Sequence, residues 1–249
     1  MVLLNDAARK DKEVGYKVTA SLDVQAVWGV DTDFLLKFVL HSPKLLAKGK
    51  LVNADYLPIK SFWDGYYNSI FYAHWKNGLI EEAYLNLEDI PDVLNYQKSL
   101  ISLFQLQVID GEHNETDVSG VCDIFYDSIS MRVIRKTKRR CHVPEEENEG
   151  SSSEIVSSKR LTRYTFSETL DVLEEIHGEE VHTAGYQNMD AAIKARVWLR
   201  LKHEGTPSTT TTVYTKLDSA LAELPANFKQ VSLPMTLPNE PLNDEVVSI

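Results

Sequence analysis

The chain has 249 residues, enough for one large all-β domain or two smaller ones, and its 43% hydrophobic and 25% charged residues are an ordinary globular balance. No stretch approaches the roughly 18 consecutive apolar residues of a membrane-spanning helix. A formal net charge of −11 argues against nucleic acid as the main partner, because phosphate binding needs a basic face.

Met1 is followed by "VLLNDAARKDKE", three apolar residues and then charges. A secretory signal peptide would need about 7 to 15 apolar residues there. The next segment, "VGYKVTASLDVQAVWG", puts Val14, Tyr16, Val18, Ala20, Leu22, Val24, Ala26 and Trp28 on one parity and Lys17, Thr19, Ser21, Asp23 and Gln25 on the other. That alternation predicts a long half-buried strand, roughly 50 Å at about 3.3 Å per residue, of a large antiparallel sheet. "FLLKFVL", with Phe34, Leu36, Phe38 and Leu40 in phase, reads as a second strand.

"NSIFYAHWK" and "LIEEAYLNL" flank Asn77-Gly78, the dipeptide that best tolerates the two positive φ angles of a type I′ turn, and so predict a hairpin. The period then changes. Val93, Tyr96, Leu100, Ile101 and Phe104 recur at three and four residues, which predicts a single helix of about four turns with Asp89 as N-cap and Pro91 in its first turn. Strand patterns resume in "TDVSGVCDIFYD" and "ISMRVIRK", with a turn expected near Asp127-Ser128. Residues 144 to 154, "PEEENEGSSSE", read as an acidic loop. "RLTRYTF", "ETLDVLEE", "EEVHTAGY" and "ARVWLRL" read as four further short strands, although "ETLDVLEE" fits a helix equally well. "TPSTTTT", 206 to 212, reads as a linker-like loop. Beyond Pro225, residues 226–249 carry Pro234, Pro238 and Pro241 without periodicity and are predicted to be a disordered tail on a domain spanning 1–225.

Little in the chain points to covalent chemistry. His41, His74, His113, His142, His177, His182 and His203 form no HExxH pair or zinc framework, and there is no GxSxG, P-loop or GxGxxG motif. Neither an enzyme nor a metal or cofactor is predicted. In "RVIRKTKRRC" the side chains of Arg132, Arg135, Lys136, Lys138, Arg139 and Arg140 crowd together. They read as a patch for a heparin-like or other anionic partner, as a processing site, or as a solvated strand end. Cys122 and Cys141 could close a loop of about 20 residues worth roughly 3 kcal/mol, or be two reduced, buried thiols. A hairpin turning at Asp127-Ser128 would place Cys122 opposite about residue 134, so a bridge needs a later turn, a bulge or a neighbouring strand. Asn114-Glu115-Thr116 is a formal glycosylation sequon.

The order of these features carries a resemblance. The hairpin "HWKNGLIEEAYLNL", the helix, "SLFQLQ", "NETDVSGVCDIFYD", the basic strand ending in Cys141, and then "SSKRLTRYTF" and "YQNMDAAIKARVWLRLK" resemble in sequence the N-terminal β-barrel of the large lipid transfer proteins. This is the family of vitellogenins, apolipophorins, apolipoprotein B and microsomal triglyceride transfer protein, and the similarity is greatest to the last branch. The resemblance implies a mainly β fold, a large antiparallel barrel wrapped around one central helix, in agreement with the helix derived from periodicity. It implies that Cys122 and Cys141 are bridged and that the protein resides in the endoplasmic reticulum lumen or is secreted. For the complete protein it implies a protein disulfide isomerase partner and lipid loading of apolipoprotein B-type lipoproteins. The alternative within the family is the receptor-binding module of a storage or circulating lipoprotein. Against the family pattern, the chain is expected to be N-terminally incomplete and to stop before the regions that form the lipid cavity.

Overall fold

The computed structural model describes residues 1–6, 13–50, 54–61, 63–142, 154–186, 192–206 and 212–236. Two long strands, β2 (Glu13–Val30) and β3 (Asp33–Lys48), form the hairpin expected from the first two apolar runs. Of the even-numbered residues of β2, Leu22 and Val24 pack against the core, whereas Val14, Tyr16, Ala20 and Ala26 are exposed. Register shifts at Thr19/Ser21 and Ala26/Trp28 interrupt the alternation. After the second shift Val27 and Trp28 are both buried, on the outer side beside Leu35. A bulge adds a residue to one strand and re-aims the side chains beyond it, so strict parity fails there.

Each remaining strand joins the same sheet: β1 (Val2–Asp6), β4 (Tyr56–Pro58), β5 (Asn68–Lys76), β6 (Leu79–Asn86), β7 (Gly111–Asp117), β8 (Gly120–Ser130), β9 (Val133–His142), β10 (Glu154–Phe166), β11 (Leu173–Tyr186), β12 (Ala192–Lys202) and β13 (Phe228–Val231). Its order is β13-β6-β5-β3-β2-β1-β12-β11-β10-β9-β8-β7, with β4 beside β3, and each strand pair is antiparallel. The sheet curves about α1 (Pro91–Ser102), whose Val93, Leu100 and Ile101 pack with Phe38, Leu40, Phe71 and Leu85. Phe38 and Phe71 stack with ring centroids 5.1 Å apart.

Strand pairing does not close the barrel, because β13 and β7 are the two ends of the sheet. The end of α1 and the residues after it fill the seam. On one side Leu106 N donates to Gly78 O at 2.8 Å and Ile80 N donates to Gln105 Oε1 at 3.1 Å. On the other, Gln105 Nε2 donates to Thr116 O at 3.1 Å and Val118 N donates to Ser102 Oγ at 3.2 Å. Gly78 O, Ile80 N, Thr116 O and Val118 N thereby find partners without a further strand.

Several expectations are corrected. Asp89 does not cap α1: Ile90 is the N-cap, preceding Pro91, and Asp89 accepts instead from Gln97 Nε2 at 3.1 Å. A second helix, α2 (Leu217–Ala222), lies outside the sheet, where Leu217, Ala220 and Leu221 cover Val27, Trp28 and Leu35. "ETLDVLEE" and "EEVHTAGY" are not two strands. Residues 167–171 turn, and β11 runs continuously from Leu173.

The domain boundary at 225 also moves. β13 pairs with β6, Leu233 is only 6% exposed, and Lys98 Nζ donates to Pro234 O at 2.9 Å. Apolar Phe228, Val231 and Leu233 supply the anchoring that the prolines concealed. The acidic loop up to residue 153, most of "TPSTTTT" and the tail beyond 236 lie outside the described residues.

Candidate functional site

The motif-bearing residues meet on β7, β8 and β9. The β8–β9 turn falls at Met131-Arg132, later than Asp127-Ser128, and register shifts at Ser128/Ser130 and Cys122/Ile124 adjust the pairing further. Cys122 and Cys141 therefore stand directly opposite one another and form a disulfide, with Cα atoms 4.0 Å apart. Cys122 is fully buried, and Arg160 Nη1 donates to Cys141 Sγ at 3.0 Å.

The basic run does not make one surface. Lys136 and Lys138 are in phase with Ile134 and point into the barrel. Lys136 Nζ donates to Glu115 Oε2, and Lys138 Nζ meets Asp117 Oδ2 at 2.5 Å. Burial pulls the Lys136 ammonium below the ordinary lysine range, and Glu115 opposes that shift. Tyr126 Oη donates to Glu115 Oε1 at 2.6 Å, and Tyr164 Oη donates to Gln105 O at 3.0 Å. Burial first, then Glu115, raises both phenols.

The four arginines are also engaged. Arg135 Nε donates to Asp127 Oδ1 at 2.8 Å, Arg132 Nη2 to Glu174 Oε2 at 3.1 Å, Arg139 Nη1 to Glu112 Oε1 at 2.7 Å, and Arg140 Nη2 lies 3.0 Å from Asp123 Oδ2. The extra residue of the Cys122/Ile124 shift lies on β9, and Arg139 and Arg140 there are both exposed. Sequence reasoning misses Glu115, Asp117 and Gln105, yet a signal is there: Glu115 and Asp117 alternate with Asn114 and Thr116 just as Lys136 and Lys138 alternate with Arg135 and Arg139.

Asn114 and Thr116 are exposed on β7, with buried Glu115 between them. The histidines are dispersed. His41 bridges Asp23 and Asn68 at 2.9 and 2.8 Å, His74 lies 2.6 Å from Asp33, and His182 sits between Ser158 at 2.8 Å and Glu180 at 3.1 Å. His177, five residues from His182, is 3.5 Å from Glu179. Among the described residues, no group of three or more His, Cys, Asp or Glu could hold a metal ion. The arrangement is therefore a buried polar brace: it fixes the disulfide hairpin against the seam residue Gln105.

Comparison with known proteins places this architecture. The model of the vitellogenin N-terminal domain matches residues 4–230. The chain belongs to the vitellogenin N-terminal domain family. Its members include relatives of modest identity: the microsomal triacylglycerol transfer protein of Drosophila melanogaster is 28% identical over 142 residues, covering 56% of this chain and 15% of that protein. The human microsomal triglyceride transfer protein large subunit is 25% identical over 207 residues, covering 77% of this chain and 23% of that protein. The chain thus spans less than a quarter of the length of these relatives. A lipovitellin structure described for its lipid–protein interactions superposes with a TM-score of 0.64 at 13% identity, covering 96% of this chain and 27% of that one. At that identity the likeness shows the fold alone: the open, helix-filled sheet of this chain is similar to part of that structure.

Proposed function

We propose that this domain is the N-terminal barrel of a microsomal triglyceride transfer protein-like lipid transporter, and that it engages apolipoprotein B-type lipoproteins while lipid is loaded onto them. The observation that carries this reading is the family match over residues 4–230, together with transfer-protein large subunits as relatives over the same barrel. Transfer of this kind moves lipid without making or breaking a covalent bond. In the reading the barrel is a docking module: its interior is filled by α1, Phe38, Phe71 and the Lys136–Glu115 brace, and the lipid cavity belongs to other regions of the complete protein. The Cys122–Cys141 bridge supports residence in an oxidising compartment, the endoplasmic reticulum lumen, where a protein disulfide isomerase would be the partner of the complete protein.

The receptor-binding alternative draws on an open basic patch at Arg132 to Arg140. Lys136 and Lys138 are held inward by buried Glu115 and Asp117, so that alternative rests on the four arginines, each paired with an acid at the surface. Co-expression in a secretory host tests the proposal. The chain, and its full-length parent, should co-purify with an apolipoprotein B-type chain, and a failure of both to do so would overturn it.

A further inference from the structure

We infer that Asn114 is an N-glycosylation site and that its glycan shields the open edge of the sheet at β7. Three observations meet at this residue. Asn114 and Thr116 project outward and are exposed, while Glu115 between them is buried against Lys136, so the strand presents both side chains of the sequon on one accessible face. The disulfide one strand away marks the chain as one that folds under oxidising conditions, which is also where the glycosylation machinery works. The position is, finally, an edge. Among the described residues β7 pairs with β8 alone, and the seam contacts reach Thr116 O and Val118 but not Asn114.

The backbone direction at this edge is legible. Thr116 O points away from β8, since it accepts from Gln105 Nε2 across the seam. Backbone groups alternate along a strand, so the N–H and C=O of Asn114 and Glu112 point to the same open side. Such a row is a template for pairing with another chain. Charged pairs lie beside it on the outer surface: Asp123, the register partner of Asn114, lies 3.0 Å from Arg140, and Glu112 accepts from Arg139 at 2.7 Å. Val121 and Phe125 flank Asp123 on the same outward face, and Arg139 lies over the Phe125 ring, 5.0 Å from its centroid.

The transfer replaces one N–H bond of Asn114 Nδ2 by a bond to the anomeric carbon of an oligosaccharide supplied as its lipid-linked diphosphate. The sugar–phosphate bond breaks, the lipid diphosphate leaves, and the amide proton passes to solvent. The Thr116 hydroxyl is the second recognition element and is not consumed.

This inference does not depend on lipoprotein docking. The test is to direct the full chain into the secretory pathway of a eukaryotic cell behind a cleavable signal and to measure its intact mass with and without an amide-cleaving glycosidase. A glycan-sized mass loss, with Asn114 converted to Asp and about 1 Da heavier than the unmodified chain, is expected. It should vanish in both Asn114→Gln and Thr116→Ala, the second of which keeps the asparagine. Unmodified Asn114 in a chain whose Cys122–Cys141 bridge has formed overturns the site. For the shielding role, the deglycosylated wild-type chain and Asn114→Gln should both shift toward dimers or aggregates at concentrations where the glycosylated chain is monomeric. Equal behaviour of all three overturns that role while leaving the site itself established.

Discussion

Lys136 on β9 and Glu115 on β7 pair across the intervening strand β8, inside the barrel, at 5% and 0% side-chain exposure. Removing either partner leaves the other charge buried and uncompensated, at a cost of about 3 to 5 kcal/mol. Lys136→Met and Glu115→Leu should each lower the stability measured by urea unfolding by that amount. The double variant Lys136→Met/Glu115→Leu should recover most of the loss, because a buried pair exchanged for apolar groups is often neutral. A double variant as unstable as the sum of the singles would show that the pair does not act as a unit.

Gly78 carries two constraints. Its φ is +86°, and a Cβ added there would lie 2.1 Å from Leu106 O, the closest point of the seam. Gly78→Ala should therefore cost more than the roughly 1 kcal/mol expected from positive φ alone. Thermal unfolding of Gly78→Ala beside Gly65→Ala, where φ is +109° and an added Cβ meets nothing within 4 Å, separates the two. Equal effects would show that the seam does not press on Gly78.

Truncation tests the revised boundary. A chain ending at 236 should be as stable as the full chain, whereas one ending at 225 loses β13, uncovers the edge of β6 and exposes the site of Leu233. The Leu233 side chain alone accounts for about 2 kcal/mol. Denaturant unfolding and light scattering should show the shorter chain both less stable and more prone to associate.

Glu175 gives an acid dependence. The hydrogen bond from Arg200 Nε outweighs burial, which acts in the opposite direction, and holds the Glu175 carboxyl below the usual glutamate range. A depressed folded-state pKa means that the contribution is fully present above the ordinary value of 4.5 and is lost as pH falls through the lower folded value. Glu175→Gln should therefore narrow its difference from wild type as pH drops below 4.5, read as melting temperature against pH.

Disulfide loss has a separate signature. Cys122 and Cys141 are 19 residues apart in sequence, and opening that loop costs about 3 kcal/mol in the chain-entropy picture. Cys122→Ser/Cys141→Ser should show that loss in urea unfolding and should abolish the mass increase of about 2 Da on reduction.

Much of the fold is legible in the sequence where local chemistry decides the backbone. Asn77-Gly78 adopts positive φ at both positions and makes the β5–β6 turn, and the spacing of Val93, Leu100 and Ile101 marks the buried face of α1. Legibility fails where tertiary context re-aims residues. The register shift at Ala26/Trp28, which adds a residue to β2, sends Val27 and Trp28 to an outer core that α2 covers. The charge run "RKTKRR" reads as one patch because its alternation is masked by lysines taking inward positions that apolar residues usually hold. Their partners Glu115 and Asp117 lie about 20 residues away, beyond any local pattern.

Docking to an apolipoprotein B-type lipoprotein is the central claim, and titrating the oxidised chain against the immobilised amino-terminal part of such an apolipoprotein by interferometry tests it most directly. Saturable binding that survives added heparin and weakens when Cys122→Ser/Cys141→Ser loosens the β8–β9 hairpin is the predicted result. No saturable binding by the folded chain, or binding abolished by heparin alone, would contradict it.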